Sequence, residues 1–170
     1  MYAVDMIKGA LFDRYVDFQL CNLDSNALKF EDDFFDAIIG SHVLEHVSDE
    51  TALLDELRRV ARKGARVYLE VPTPESQSLP SRQLFLDAGI NVSTLNFFDD
   101  ATHLRTFSLE KLSSLLRQAG FKVLSFGLID NRYLEDEMLT YGIRHNDMEL
   151  TTYGMWSKTH FAQYIISEAV

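Results

Sequence analysis

The strongest structural signal in the chain is the stretch Phe35-Asp36-Ala37-Ile38-Ile39-Gly40-Ser41-His42-Val43-Leu44-Glu45-His46-Val47. Its first half belongs to a nearly continuous apolar run over residues 34–40, which is typical of a parallel strand covered on both faces. The polar residues Ser41 and His42 follow at once. Because open α/β sheets bind ligands at the carboxyl ends of their strands, this junction is the first candidate for a functional site.

The flanking sequence predicts alternating helices and strands. Apolar residues recur with helical spacing from Asp49 to Arg62, and Gly64 is expected to end that helix. Ser108 suits the N-cap of a second helix, which Gly120 ends. The predicted strands are residues 2–4, 15–20, 34–40, 66–71, 121–129 and 160–167. Residues 131–152 fit no single pattern, although a short helix near residues 133–141 is expected.

This order of elements predicts an α/β fold with a doubly wound, mostly parallel sheet. The closing strands, residues 121–129 and 160–167, are expected to pair antiparallel at the edge of the sheet. At 170 residues, the chain is expected to form a single domain, residues 1–170. The long connection over residues 72–106 has weak periodicity, and connections of that length often carry function.

Several segments resemble, in order and spacing, the class I (Rossmann-like) S-adenosylmethionine-dependent methyltransferases. They are residues 36–47, Leu57-Arg58-Arg59-Val60, Lys63-Gly64, Leu69-Glu70-Val71-Pro72 and Ala119-Gly120-Phe121. Residues 96–105, from Asn96 to Arg105, are also similar to bacterial methyltransferases of surface-glycan synthesis. The resemblance covers residues 1–129 and implies methyl transfer to a small-molecule or sugar acceptor, with S-adenosylmethionine as the cofactor.

The same resemblance implies four cofactor-binding residues. Asp5 falls where an acid at the end of the family's second strand accepts hydrogen bonds from the ribose hydroxyls, a task that suits a carboxylate because it only accepts. Asp24 falls where the family places a group near the adenine amine, with Asn22 as a competing candidate. Ser41 and His42 lie at the carboxyl edge of the sheet. Each Asp also has a structural interpretation, as a strand-end or turn residue.

The glycines argue against other nucleotide-binding classes. The chain has eight glycines, and no two of them are separated by a single residue. There is therefore neither a G-x-G-x-x-G loop nor a Walker loop, which rules against dinucleotide oxidoreductases and P-loop nucleotidases. The methyltransferase family places a strand and a glycine-rich loop before the position of Asp5, so the sequence predicts a fold truncated at its first strand.

Two functions remain compatible with that truncation. In the first, the chain is a shortened methyltransferase that still binds its cofactor and positions an acceptor for in-line transfer. In the second, it is a catalytically inactive binding or scaffold domain that folds without cofactor. An exposed sheet edge at the missing strand would then allow two copies of the chain to pair as a homodimer.

Residues 42–46 also satisfy the zinc-protease pattern H-x-x-E-H, in which His42 and His46 would bind metal and Glu45 would activate water. The pattern follows a buried strand directly, whereas the zinc motif needs a continuous helix, so no metal is expected. The alternative is a structural role, in which Glu45 and His46 bond to neighbouring backbone groups.

His103 is the candidate catalytic residue. It lies in a polar loop beside Asp99, Asp100 and Arg105, and its ordinary pKa near neutrality suits a general base acting on an acceptor hydroxyl. A structural role for His103 as a bond donor is the alternative. Arg105 is expected to pair with Asp99 or Asp100.

Composition limits the partners and the compartment. The net charge of −10 argues against a nucleic-acid partner, because such proteins usually present a basic face. No apolar run reaches the roughly 18 residues that a membrane span needs, and no signal peptide is recognisable. The single cysteine, Cys21, excludes an internal disulfide bond and fits a reducing compartment. A cytoplasmic location is therefore expected.

Overall fold

The computed structural model describes residues 1–9, 12–24 and 27–170. Its strands are β1 (Tyr2–Asp5), β2 (Asp17–Leu20), β3 (Phe35–Ser41), β4 (Ala61–Pro72), β5 (Phe121–Leu128) and β6 (Ala162–Ala169). Its helices are α1 (Glu50–Val60), α2 (Arg82–Asp87), α3 (Leu109–Gln118), α4 (Glu135–His145) and α5 (Met148–Thr159). The alternating order confirms the predicted α/β class.

The strands form two sheets. The larger has the order β3-β4-β6-β5, and the smaller consists of β1 and β2. β3 and β4 are parallel, as are β1 and β2, whereas β6 is antiparallel to both of its neighbours. The sheet is therefore mixed, with one reversed strand among the four of the larger sheet. No strand in the described ranges connects β1 to β3, so the two sheets are separate.

The two closing strands pair antiparallel at the edge of the sheet, as predicted, but the C-terminal strand is not itself the edge strand. β6 lies between β4 and β5, so the edge strand is β5. Burial gives the physical reason: β6 is buried or half-buried along its whole length, while most residues of β5 are exposed. A strand that is largely out of water needs ladder partners on both sides, since an unpaired buried backbone group is costly.

Helices α1 and α3 cover the larger sheet. Each begins with a side-chain cap: Asp49 accepts from the amide of Ala52, and Ser108 accepts from the amide of Lys111. Their apolar faces pack with the sheet in one core, whose fully buried members include Leu54, Leu112, Leu116, Val67 and Ile165. The predicted faces of both helices are thus confirmed.

The sequence predicted that Gly64 ends the first helix, and this prediction is wrong. α1 ends at Val60, and the chain enters β4 directly at Ala61. Gly64 lies inside that strand with a φ of +84°, at the irregularity where the register with β3 shifts. A glycine suits this bulge because the left-handed backbone region carries no penalty for it.

The two sheets are joined by side chains. Tyr2 at the start of β1 makes edge-on contacts with Phe30, Phe34 and Phe35, with ring centroids 5.3 to 5.7 Å apart. Val4 packs against the main core. Within the described ranges β3 is an edge strand of the larger sheet, and its Ile39 is 76% exposed. A homodimer through this edge remains a prediction.

Candidate functional site

His42 is the centre of a hydrogen-bonded network at the carboxyl end of β3. Its φ of +52° turns the chain out of the strand, while its amide still bonds the carbonyl of Glu70 at 2.9 Å. The ring nitrogens lie between two carboxylates: Nδ1 is 2.9 Å from Glu45 Oε1, and Nε2 is 3.1 Å from Glu70 Oε1. Tyr68 donates to the second oxygen of Glu70 at 2.6 Å. The predicted site residue His42 is therefore held rigidly.

The two carboxylates determine the charge of His42. Burial alone would lower the pKa of its imidazole, but the hydrogen bonds to Glu45 and Glu70 outweigh burial and raise the pKa to about 9. The pKa of Glu70 is lowered: burial opposes this change, and the bonds from His42 and Tyr68 overcome it. His42 is thus a cation at neutral pH with no proton-accepting nitrogen left.

Aromatic side chains cover this network. The indole of Trp156 lies 4.9 Å from the His42 ring and stacks on Phe161 at 4.7 Å. Its Nε1 donates to the carbonyl of Thr94 at 2.6 Å, which ties α5 to the long connection before α3. Tyr153, one turn earlier in α5, packs edge-on against Trp156. Together these residues form an aromatic wall beside a fixed charge.

A second cluster adjoins the network on the other side of Glu45. Glu45 is fully buried, and while its Oε1 bonds His42, its Oε2 has no hydrogen-bond partner among the described residues. The rings of His46 and His103 lie 4.7 Å apart, centroid to centroid. The amide of Leu104 donates to the carbonyl of Glu45 at 2.9 Å, which fixes the His103 loop against this turn. A buried polar atom left without a partner costs about 1–3 kcal/mol, so this oxygen is the feature of the cluster that needs an explanation.

The His103 loop is itself strongly anchored. Asp99 accepts hydrogen bonds from the amides of Arg82, Leu95 and Asn96, at 2.8 to 2.9 Å. The side-chain amide of Asn96 donates to two carbonyls of the preceding segment. These bonds give residues 96–105, which the sequence singled out, one defined conformation. Arg105 was expected to pair with Asp99 or Asp100, which is wrong: it pairs with Glu50 and the carbonyl of Ser48.

The other predicted cofactor residues lie at the ends of strands. Asp5 ends β1 and accepts from the amide of Ile7 at 3.1 Å. Asp24 follows β2, and its Oδ1 accepts from the amide and hydroxyl of Ser48 at 2.6 and 3.0 Å. Ser41 ends β3 and is exposed. A cavity of about 260 Å³ lies beside Asp24, between the chain after β2 and α1.

The structure brings some of these residues together. Ser41 and His42 are adjacent, and Asp24 is bonded to the segment that follows them through Ser48. His103 joins the Glu45 and His46 cluster rather than the cofactor residues. Asp5 lies in the smaller sheet, and no described hydrogen bond connects it to the other four.

Sequence reasoning missed the roles of Glu70 and Tyr68. Glu70 had a usable signal, because a carboxylate near the end of a buried apolar strand needs a partner. The contact of Trp156 with His42 had no signal, since the two residues lie more than a hundred positions apart in the chain.

Comparison with known proteins identifies the family. Residues 4–126, which are well over half of the chain, match the methyltransferase domain family. The chain belongs to this family. The resemblance expected from the sequence is therefore confirmed.

A curated relative is the ubiquinone/menaquinone biosynthesis C-methyltransferase of Desulfotalea psychrophila. It is 29% identical over 138 residues, which cover 75% of this chain and 52% of the relative. The chain thus spans about half the length of the curated methyltransferase that it matches.

Solved methyltransferases share the fold. A putative S-adenosylmethionine-dependent enzyme from Listeria monocytogenes superposes with a TM-score of 0.65 at 12% identity, covering 99% of this chain and 79% of its own. The 1,6-didemethyltoxoflavin-N1-methyltransferase of Burkholderia thailandensis, solved with S-adenosylhomocysteine, gives a TM-score of 0.60 at 14% identity, covering 99% and 60%. At these identities the comparison concerns the fold alone. None of the helices in the described ranges combines the length and apolar content that crossing a membrane requires.

Proposed function

We propose that this methyltransferase domain binds S-adenosylmethionine and directs its methyl group to a small-molecule acceptor. The observation that carries the proposal is the position of the His42 network, at the carboxyl ends of β3 and β4 and against the aromatic wall of α5. In open α/β sheets this edge is the ligand side. The matched relative, whose name describes quinone biosynthesis, supports a planar small molecule as the acceptor.

The residues present fit the nucleoside part of the cofactor. The exposed carboxylate of Asp5 can accept from two ribose hydroxyls, because its one described bond leaves acceptor capacity free. One oxygen of Asp24 is engaged by Ser48, and the carboxylate lies beside the 260 Å³ cavity. When bound, the cofactor supplies a methyl group already activated by its sulfonium, so the chain has to bind and orient rather than activate.

The acceptor side uses the aromatic wall and the charge of His42. Trp156 and Tyr153 offer flat apolar surface to a planar acceptor, and the His42 imidazolium is fixed beside it by two carboxylates. His42 cannot take a proton from the acceptor, because both of its nitrogens are already protonated. His103 therefore stays the predicted proton acceptor. A glycan acceptor is supported only by residues 96–105.

Calorimetric titration with S-adenosylmethionine and with S-adenosylhomocysteine tests the proposal. We expect micromolar dissociation constants for the unchanged chain. Asp5→Asn should weaken binding about tenfold, the equivalent of one lost hydrogen bond to a charged group. The matched control is Asp36→Asn, since Asp36 is an exposed carboxylate near the opposite end of β3 and pairs only with Arg62 in the described contacts.

Two outcomes would overturn the proposal. One is no detectable heat at millimolar cofactor, which would favour the cofactor-free scaffold. The other is equal weakening by Asp5→Asn and Asp36→Asn, which would mean that the ribose contact is elsewhere.

A further inference from the structure

Glu45, His46 and His103 form a cluster next to the His42 network, to which Glu45 is bonded. Each offers one ligand atom, and the three atoms lie within 4.8 Å of one another. We propose that these three residues bind a single divalent transition-metal ion, for which Zn²⁺ is a suitable test ion. The inference concerns metal binding and does not rest on cofactor binding.

Each of the two histidines uses Nδ1 in a described hydrogen bond, which leaves Nε2 without a partner among the described residues. Nδ1 of His103 lies 2.6 Å from the carbonyl oxygen of Phe97, which can only accept, so Nδ1 carries the proton and Nε2 keeps its lone pair. The Thr102 hydroxyl donates to the Asp100 carboxylate at 2.6 Å, so its oxygen accepts from Nδ1 of His46 at 2.9 Å. His46 therefore also keeps a lone pair on Nε2.

This pattern of outer bonds is the one found around metal-binding histidines. Such residues donate the second ring N–H to a carbonyl or carboxylate-linked acceptor, which fixes the tautomer and the ring orientation. His103 is further fixed by stacking on Phe97, with centroids 4.7 Å apart. Both rings are thus held with their lone pairs available.

Glu45 supplies the independent observation. Its side chain is fully buried, and its Oε2 has no partner among the described residues. The other oxygen is committed to His42. A buried carboxylate oxygen without a donor, in a cluster with two neutral imidazoles, is costly, whereas a bound cation would accept lone pairs from all three residues together.

The donor set indicates the class of ion. Two imidazoles and one carboxylate suit a first-row transition metal such as Zn²⁺, Fe²⁺ or Co²⁺, and they leave a coordination position open for an oxygen ligand. Ligand atoms on one tetrahedral ion lie roughly 3.4 Å apart, given bonds of about 2.1 Å. The present spacing of up to 4.8 Å would therefore contract by small rotations of the half-buried rings.

This site differs from the H-x-x-E-H pattern seen in the sequence. That pattern uses His42, but both nitrogens of His42 are taken by Glu45 and Glu70. Residues Leu44–His46 form a single short helical turn, so the continuous helix of the zinc proteases is not built there. The third ligand comes instead from His103, 57 positions after His46 in the sequence.

The proposed ion also changes the role of His103. Its Nε2 can either accept a proton directly or bind the metal, and it does not do both at once. The open coordination position would hold an oxygen of the methyl acceptor next to the His42 network. A hydroxyl bound to a metal ion is more acidic than a free one. The metal titration therefore distinguishes the two roles.

The test is titration of the apo protein with Zn²⁺ by calorimetry and with Co²⁺ by visible absorption. We expect one ion per chain, with visible bands from nitrogen and oxygen ligation. His103→Ala and His46→Ala should each weaken binding more than about 100-fold, since outer-shell changes alone cost 10- to 100-fold. The control is His145→Ala, an exposed histidine on α4. Thermal unfolding of each variant shows whether the fold persists.

The proposal is overturned by either of two results. One is no binding of Zn²⁺ or Co²⁺ at millimolar concentration. The other is binding that survives in both folded variants, His103→Ala and His46→Ala, since the ion would then lie elsewhere. Metal binding without S-adenosylmethionine binding would leave this inference standing and count against the proposed function.

Discussion

At the scale of single residues, Arg59 and Glu56 hold the chain that precedes β3 against α1. Arg59 donates to Glu56 from Nε at 2.8 Å and from Nη2 at 2.7 Å. Nη2 also donates to the carbonyl of Leu28, and Nη1 donates to Asp32 and the carbonyl of Phe30. Glu56 also accepts from the amide of Leu28 at 2.7 Å. The pKa of Glu56 is lowered, chiefly by its bonds from Arg59. This clamp fixes residues 28–32, which precede β3.

Glu56→Gln should lower stability at pH 7 by about 1–3 kcal/mol, because two charge-assisted bonds are weakened. A carboxylate whose folded pKa lies below its ordinary 4.5 adds stability above that value and loses it as pH falls through the folded pKa. The difference in the free energy of unfolding between Glu56→Gln and the unchanged protein should therefore shrink below pH 4.5. Urea unfolding at pH 7 and pH 3.5 measures it. The control Glu31→Gln, at an exposed carboxylate, should leave the free energy of unfolding nearly unchanged at both pH values. A destabilisation by Glu56→Gln that is the same at pH 7 and pH 3.5 would contradict this prediction.

Residue roles were predictable from sequence only where the neighbours are local. The position of His42 after a buried strand followed from the apolar run before it, and the N-caps Asp49 and Ser108 followed from residue type. The partners of His103 could not be predicted in this way. They are the carbonyl of Phe97, six residues away, and the ring of His46, 57 positions earlier. Long-range pairing of this kind has no signature in one sequence.

At the scale of elements, α4 and α5 form a close antiparallel pair that supports Trp156. Asn146 turns the chain with a φ of +55°, and Asp147 caps α5 by accepting from the amide of Leu150 at 3.0 Å. Two glycines allow the close approach. A Cβ built on Gly142 would lie 2.7 Å from the amide nitrogen of Thr151, and one on Gly154 would lie 2.7 Å from Cγ of Leu139.

Gly142→Ala should therefore destabilise the protein by about 1–3 kcal/mol, because the added methyl meets backbone that has no room to move. The gain in helix propensity, about 1 kcal/mol at most, offsets only part of this cost. Chemical denaturation measures the change. The matched control is Gly9→Ala, where nothing lies within 4 Å of an added Cβ, and its effect should stay within about 0.5 kcal/mol. Equal effects at the two positions would refute close packing of these helices.

The sequence predicted the sheet strands, the two capped helices and a short helix near residues 133–141, where α4 lies, but not α5. α1 and α3 each bury one apolar stripe, which produces the helical period that the sequence shows. α5 instead buries threonines, a glycine and a serine against α4 and the neighbouring segments, so its apolar residues follow no single stripe. Hydrophobic periodicity cannot find a helix whose contact face is small and polar.

At the scale of the whole molecule, the two sheets differ in how strongly they are held. The larger sheet has the fully buried Val67 and Ile165 at its centre, whereas β1 and β2 are four-residue strands whose outer residues are exposed. A two-stranded sheet is marginal by itself, and here it relies on Tyr2 and Val4 for its contact with the core. Asp5, the proposed ribose ligand, lies on this weaker sheet.

Amide hydrogen exchange should therefore reveal two levels of stability. Amides of β1 and β2 should exchange at least about tenfold faster than those of β4 and β6, since local opening of the small sheet exposes little core. Tyr2→Ala removes its ring from the cluster with Phe30, Phe34 and Phe35, so it should speed exchange in β1 and β2 and leave β4 and β6 unchanged. Added S-adenosylmethionine should slow exchange in β1, because a ligand held by Asp5 stabilises the closed state. Uniform exchange across both sheets would instead show that the molecule opens as one cooperative unit, and the cofactor would then protect every strand equally.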